Sequence, residues 1–250
     1  MAISEEARRN HDTLLPNHES TLKATDPELV ELFDNWAFGE VMRDAPMEAR
    51  TRVMVQLAAI IACQGVGEFR VMLGGALNVG VTPVQVKEIV YQAVPYVGMA
   101  RVFEFLHVAN DVLRTRGIDL PLEGQSTTTA RTRHEKGLEL QRRIFGDRID
   151  QMYERSPKDQ LHIQRYLSAN CFGDYYTRGG LDLKTRELLT FAMIASMGGC
   201  EPQLASHVAA NLAVGTERAV LIATLTQILP FIGYPRTLNA LRIVNEGAPA

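Results

Sequence analysis

Acid, thiol, amide and imidazole side chains converge in one stretch of this 250-residue chain. In Cys200-Glu-Pro-Gln203-Leu-Ala-Ser-His207, Gln203 follows Cys200 by three residues and precedes His207 by four. Those spacings put side chains on one stripe of a helix. Cys200 stands at the start of that helix, where unpaired N–H groups and the helix dipole favour a thiolate. Glu187, on the preceding helix, faces the same stripe if the two helices pack antiparallel. Gathered on apolar walls, these groups suit a proton-transfer pocket. Each also has a plainer reading: His207 as a packed side chain among alanines, Cys200 as a buried free thiol, and Glu187, beside Lys184 and Arg186, as a solvated helix residue. Their convergence in an apolar segment is what marks them.

Other candidates are more ambiguous. Arg101 and Arg236 each follow a Pro/Gly break near a helix start, where they either hold a substrate carboxylate or tie down helix C-termini. His107 lies on an apolar helix and reads as structural. His11, His18, His134 and His162 show no metal-ligand spacing, so no metal site is expected. Cys63 and Cys171 read as core fillers. The chain has no CxxC, GxGxxG, P-loop or GxSxG motif, which argues against a dithiol enzyme, a dinucleotide or ATP enzyme and a serine hydrolase; no cofactor is expected.

The elements that must position these residues come from a tandem repeat. Gln92-x-x-Pro95-Tyr96-x-Gly98-x-x-Arg101 recurs 135 residues later as Gln227-x-x-Pro230-Phe231-x-Gly233-x-x-Arg236. Phe38-Gly39-Glu40 recurs as Phe172-Gly173-Asp174, and Thr51-Arg52 as Thr185-Arg186, at an offset of 134. One extra residue therefore falls between these blocks, in Met197-Gly198-Gly199. Each copy reads as helix after helix. In the second, Asp182 caps one helix, Gly198-Gly199 ends it, Pro202 opens the next and Gly215 closes that one. A helix over 219–229 follows, broken by Pro230 and Gly233 before another over 236–245. In the first, Thr82-Pro83 is a start and Pro95 with Gly98 a break. No run alternates with period two between hairpin turns, so the fold class is all-α. The expected division is a module over 1–122, a polar linker over 123–132 and a second module over 133–250, opening with a charged amphipathic helix over 133–145.

The copies are chemically unequal. At the two offsets, Met72 stands for His207, Glu68 for Gln203, Gly65 for Cys200 and Val53 for Glu187. The first copy reads as scaffold, and one site per chain is expected.

With 46% apolar and 22% charged residues, the chain can build a sizeable core. A net charge of -3 gives no electrostatic case for nucleic acid or an anionic membrane. No apolar run approaches the roughly 18 residues of a membrane span. The polar start, MAISEEARRNHD, lacks a signal peptide's apolar segment, and three scattered cysteines make no disulfide framework. A cytoplasmic setting is expected, with small molecules and other copies of the chain as partners.

Three blocks, Gly179-Gly-Leu-Asp-Leu-Lys-Thr-Arg186-Glu187, Cys200-x-x-Gln203-Leu-x-x-His207 and Gln227-x-x-Pro-Phe-x-Gly-Tyr-Pro, resemble the carboxymuconolactone decarboxylase family, which includes the alkyl hydroperoxidase D proteins. The resemblance implies helical-bundle modules that pair about a pseudo-twofold axis. It also implies a ring of six modules, here a homotrimer of two-module chains. Glu187, Cys200 and His207 match the acid, cysteine and histidine of the peroxidase branch, but Gln203 replaces the second cysteine that disulfide cycling needs. For the decarboxylase branch, the resemblance implies cofactor-free loss of carbon dioxide from a small carboxylate or lactone of aromatic catabolism. His207 would be the proton donor, Glu187 its orienting or relay partner, Arg236 the carboxylate anchor and Gln203 a hydrogen-bond donor to the lactone oxygen. A one-cysteine redox protein built on Cys200 and a non-catalytic ligand-binding oligomer remain open alternatives.

Overall fold

The structure is a computed structural model that describes residues 2–248. The first copy runs through α1 (Glu5–Leu14), α2 (Pro27–Asp34), a π-wound stretch Asn35–Glu40, α3 (Val41–Asp44), α4 (Ala49–Ala62), α5 (Val66–Asn78), α6 (Pro83–Val97) and α7 (Met99–Thr115). The second runs through α8 (Arg133–Phe145), α9 (Arg148–Arg155), α10 (Leu161–Tyr166), a π-wound stretch Leu167–Tyr176, α11 (Leu183–Met197), α12 (Glu201–Ala213), α13 (Arg218–Ile232) and α14 (Tyr234–Gly247). The described residues include no β-strand.

Helix starts follow side-chain chemistry. Asp182 accepts from the Thr185 N–H at 2.8 Å, capping α11 as its position predicts. Thr82 and Gln85 form a reciprocal capping box at the start of α6. The extra residue of the second copy lies in the turn after α11. There Gly198 and Gly199 both adopt positive φ, 70° and 71°, where the first copy turns through Gln64 at 65°. Pro95 and Pro230 do not break their helices. Both lie inside, and the chain turns only at Gly98 and Gly233, with φ of 86° and 78°. Each proline falls in its helix's last turn, so it removes one backbone bond near an end that frays anyway.

The copies share one core. Helix α4 packs against its own counterpart α11, while α6 lies on α11 and α13 on α4. This exchange is what a pseudo-twofold pair requires. Both central helices are apolar nearly all round, with Leu57 and Ile61 of α4 and Leu189 and Met193 of α11 in the same cluster. The repeated glutamines bind the copies together. Gln92 donates to the Arg186 carbonyl at 2.7 Å, and Gln227 to the Ala45 carbonyl at 2.6 Å. Each thus satisfies a buried backbone group of the other copy.

Helix α8 meets the second π-wound stretch backbone to backbone. A Cβ on Gly173 would overlap the Arg133 carbonyl oxygen, and one on Gly137 the Ser168 carbonyl oxygen. Residues 118–129 form no helix, yet they are docked on the second copy: the Gly179 N–H donates to the Gln125 carbonyl at 2.9 Å, and Thr127 Oγ1 to the Thr177 carbonyl at 2.7 Å. No helix of the described residues is long and apolar enough to cross a membrane.

Candidate active site

Helices α11 and α12 pack side by side and bring Glu187 and His207 together in the interior. His207 Nδ1 lies 2.7 Å from Glu187 Oε2; Glu187 is fully buried and His207 retains 8% exposure. With the Glu187 oxygen accepting, Nδ1 is the donor of this bond, and Nε2 is left without a protein partner among the described residues. Asn211, one turn further along α12, donates to the Glu187 carbonyl at 3.0 Å and the His207 carbonyl at 2.8 Å. That bridge fixes the register of the two helices around the pair. The second carboxylate oxygen, Glu187 Oε1, is buried with no hydrogen-bond partner.

Two aromatic rings wall the imidazole, and they come from different copies. Phe145, at the end of α8, meets it edge-on at 5.7 Å between centroids; Tyr96, from α6 of the first copy, does so at 6.0 Å. Behind Tyr96 a polar chain crosses the interface: Tyr96 Oη donates to Tyr176 Oη at 3.1 Å, Tyr176 Oη lies 2.5 Å from Thr190 Oγ1, and Gln92 Nε2 donates to Thr190 Oγ1 at 2.9 Å. Burial, reinforced by nearby Cys171 and Glu187, holds both tyrosines protonated well above the ordinary phenol range. Burial likewise pushes the Cys171 thiol up to about 12, although its sulfur lies 3.8 Å from Tyr96 Oη. The site therefore pairs an acid with an imidazole inside a shell of neutral hydroxyls and aromatic carbon.

A profile of the carboxymuconolactone decarboxylase family matches residues 27–111 and again residues 162–246. The chain belongs to the carboxymuconolactone decarboxylase family. Within it, the chain is 30% identical over 115 residues to 4-carboxymuconolactone decarboxylase of Acinetobacter baylyi, covering 46% of this chain and 85% of that protein. It is 41% identical over 76 residues to an uncharacterised 15.0 kDa protein of Paracoccus denitrificans encoded between nqo9 and nqo10; the match covers 30% of this chain and spans 57% of the relative's length.

The profile's second match contains both members of the pair, and the structure sorts the remaining candidates of this family member. Glu187 is buried and engaged, so its reading as a solvated helix residue does not hold. Cys200, Gln203 and His207 are not gathered into one pocket. Cys200 is the N-cap of α12 and is half-buried; with Arg236 it lines a narrow crevice walled by Ile194, Leu204, Asn239 and Ile243, which includes neither Glu187 nor His207. Gln203 is exposed. It shares a helix face with His207, but Phe145 and Tyr96 cover only the deeper turn. Arg236 is exposed and lies over Gly198, at the C-terminus of α11. Arg101 is exposed, as is His107, whose ring rests on Phe103 at 4.7 Å.

In the first copy, the counterparts Val53 and Met72 are buried in the common core, and Phe231 stands where the second site has Tyr96. Sequence reasoning missed Tyr96, Tyr176, Phe145 and Thr190. A signal for Tyr96 existed: it follows Gln92 by four residues in the repeated turn, and the repeat replaces it with phenylalanine, which has no hydroxyl. Among the described residues, no group of three or more His, Cys, Asp or Glu could hold a metal ion.

Proposed function

We propose that the chain is a cofactor-free carbon–carbon lyase that decarboxylates a small lactone carboxylate of the 4-carboxymuconolactone type. The buried 2.7 Å bond between His207 Nδ1 and Glu187 Oε2 carries the reading, because it leaves Nε2 without a protein partner among the described residues, beside the Phe145 and Tyr96 rings. The similarity to the Acinetobacter decarboxylase supports the substrate class. In the proposed step the bond between the carboxylate carbon and the ring breaks, carbon dioxide leaves, and the electron pair passes into the lactone as an enolate. The Nε2–H of protonated His207 then delivers a proton to the carbon that inherits the electron pair. Glu187 steadies the imidazolium before transfer, and water reprotonates Nε2 afterwards. Tyr96 and Tyr176, held neutral, add no competing negative charge beside the pair.

A thiol-dependent reading has less support. Cys200, on which that reading rests, lies in a crevice that includes neither Glu187 nor His207, and the position of a resolving thiol is occupied by exposed Gln203. Self-association into a trimer of two-module chains is part of the proposal. Phe103 and Leu238, at equivalent repeat positions on α7 and α14, are 54% and 60% exposed, as suits an apolar face shared between chains.

Release of carbon dioxide from 4-carboxymuconolactone by the purified chain tests the reading. His207→Ala should lower turnover by about 100-fold or more, the usual worth of a positioned general acid. Undiminished turnover in that variant, or no release by the parent, would overturn it.

A further inference from the structure

One cavity of the molecule lies apart from the Glu187–His207 pair. It lies where the connecting segment crosses the junction of the two copies, and it encloses about 360 Å³ between α6, α7 and residues 120–125. We propose that this cavity is a second ligand site, which takes a small organic acid with a compact apolar body.

The charge balance of the walls carries the argument. Lys87, Arg114 and Arg178 line the cavity. Its buried acid, Glu88, is already committed: Arg178 donates to both carboxylate oxygens, Nε at 3.0 Å to each, and Arg186 donates to Oε2 at 2.9 Å from behind the wall. The other acid, Glu123, is exposed at the rim. Three lining cations thus face two carboxylates, and the buried one is already engaged by Arg178 and, from behind, by Arg186.

Lys87 is the least compensated. Its ammonium donates to Asn110 Oδ1 at 2.8 Å and lies 5.3 Å from the Tyr91 ring centre, and among the described residues no carboxylate pairs with it. Burial, followed by the charge of Arg114, pushes it below the ordinary lysine range. An anion placed between Lys87 and Arg114 relieves both effects. Arg114 is available to take part, because its ion pair with Asp111 is long, at 3.9 Å, and exposed on both sides.

The rest of the cavity accepts hydrocarbon. Val84, Leu120, Pro121 and Leu122 supply an apolar wall, and the Tyr91 ring already carries the Arg178 guanidinium at 5.1 Å. The volume lies near the lower end of the range for small-molecule sites, so the ligand is the size of a substituted ring and not a nucleotide. Carboxylate and phosphate heads both suit the cations; the apolar wall selects a head carried on an organic body.

Benzoate, its neutral analogue benzamide and inorganic phosphate are the probes, titrated calorimetrically into the full chain. Saturable binding of benzoate is expected, with no heat from benzamide. Lys87→Gln should weaken benzoate binding at least about tenfold, as loss of a charge-assisted contact does. Arg114→Gln, at an exposed position that cannot compromise folding, should weaken it severalfold. Circular dichroism melts establish that each variant is folded; if Lys87→Gln is not, Arg114→Gln alone decides. The proposal is overturned if benzoate shows no saturation up to about 20 mM, if benzamide binds equally well, if phosphate binds and benzoate does not, or if the folded variants bind as the parent does. None of these results bears on decarboxylation at His207.

Discussion

His207→Met together with Glu187→Val writes the first copy's Met72 and Val53 into the second copy. In the parent, Glu187 is fully buried, with Oε2 on His207 Nδ1 at 2.7 Å and Oε1 unpartnered. His207→Met alone strands that carboxylate with no side-chain partner. Breaking a buried pair from one side costs about 3–5 kcal/mol; the residual exposure beside His207 puts this case near about 3 kcal/mol. Glu187→Val alone leaves an imidazole N–H unsatisfied at a partly wetted edge, at about 1 kcal/mol. The double variant removes both polar groups and installs side chains that the fold already packs at the equivalent place, so it should fall within about 1 kcal/mol of the parent. The single losses sum to about 4 kcal/mol against about 1 for the double, a coupling of about 3 kcal/mol, at the upper end for residues in contact. Urea unfolding of the parent and three variants at one pH and ionic strength measures all four terms. A His207→Met variant as stable as the parent would refute the predicted coupling of the pair, and a double variant that loses the full sum would refute the expectation that Met and Val pack there as they do in the first copy.

Three further outcomes follow from the same geometry. With its thiol at about 12, Cys171 is only about one ten-thousandth thiolate at pH 8. Iodoacetamide should therefore label half-buried Cys200 and spare Cys171 until the chain is unfolded, as peptide mass spectrometry would show; comparable native labelling of both would contradict the burial. Tyr96 and Tyr176 are raised above their unfolded values, so the stability they contribute is complete below about pH 10 and is lost as pH rises beyond it, at about 1.4 kcal/mol per pH unit for each. Absorbance at alkaline pH should show them ionising together with unfolding, and Tyr96→Phe should halve that slope. Gly173→Ala drives a methyl group into the Arg133 backbone, which cannot swing aside as a side chain would; a loss of about 3 kcal/mol or more is expected in urea unfolding.

Much of the architecture can be read from residue order. The switch between offsets of 134 and 135 locates the extra residue in the Gly198–Gly199 turn, and Asp182, Thr82 and Pro202 mark helix starts because capping is a local interaction. The Glu187–His207 contact is also legible, given antiparallel packing of α11 and α12. Other features depend on facts no local rule contains. Gln203 and His207 share a helix face, but whether that face is covered depends on where α8 and α6 end. Arg186 looks like a surface residue beside Lys184, yet it is 1% exposed because Glu88 and Gln92, 98 and 94 residues away, come to meet it. The second π-wound stretch escapes periodicity; it lies where the backbone of α8 meets it closely at Gly137 and Gly173.

The exchanged glutamines have an evolutionary consequence. Once two copies are joined and each lends the other its wall, loss of one copy's acid and imidazole no longer releases that copy from selection. The first copy carries Val53 and Met72 where the second carries the acid and the imidazole, yet its Gln92 and Tyr96 pack against the second copy's helices around that pair. Gene duplication here did not leave a spare free to drift. It produced two halves with divided labour, in which a lesion in α6 is inherited as a defect of the other half's site.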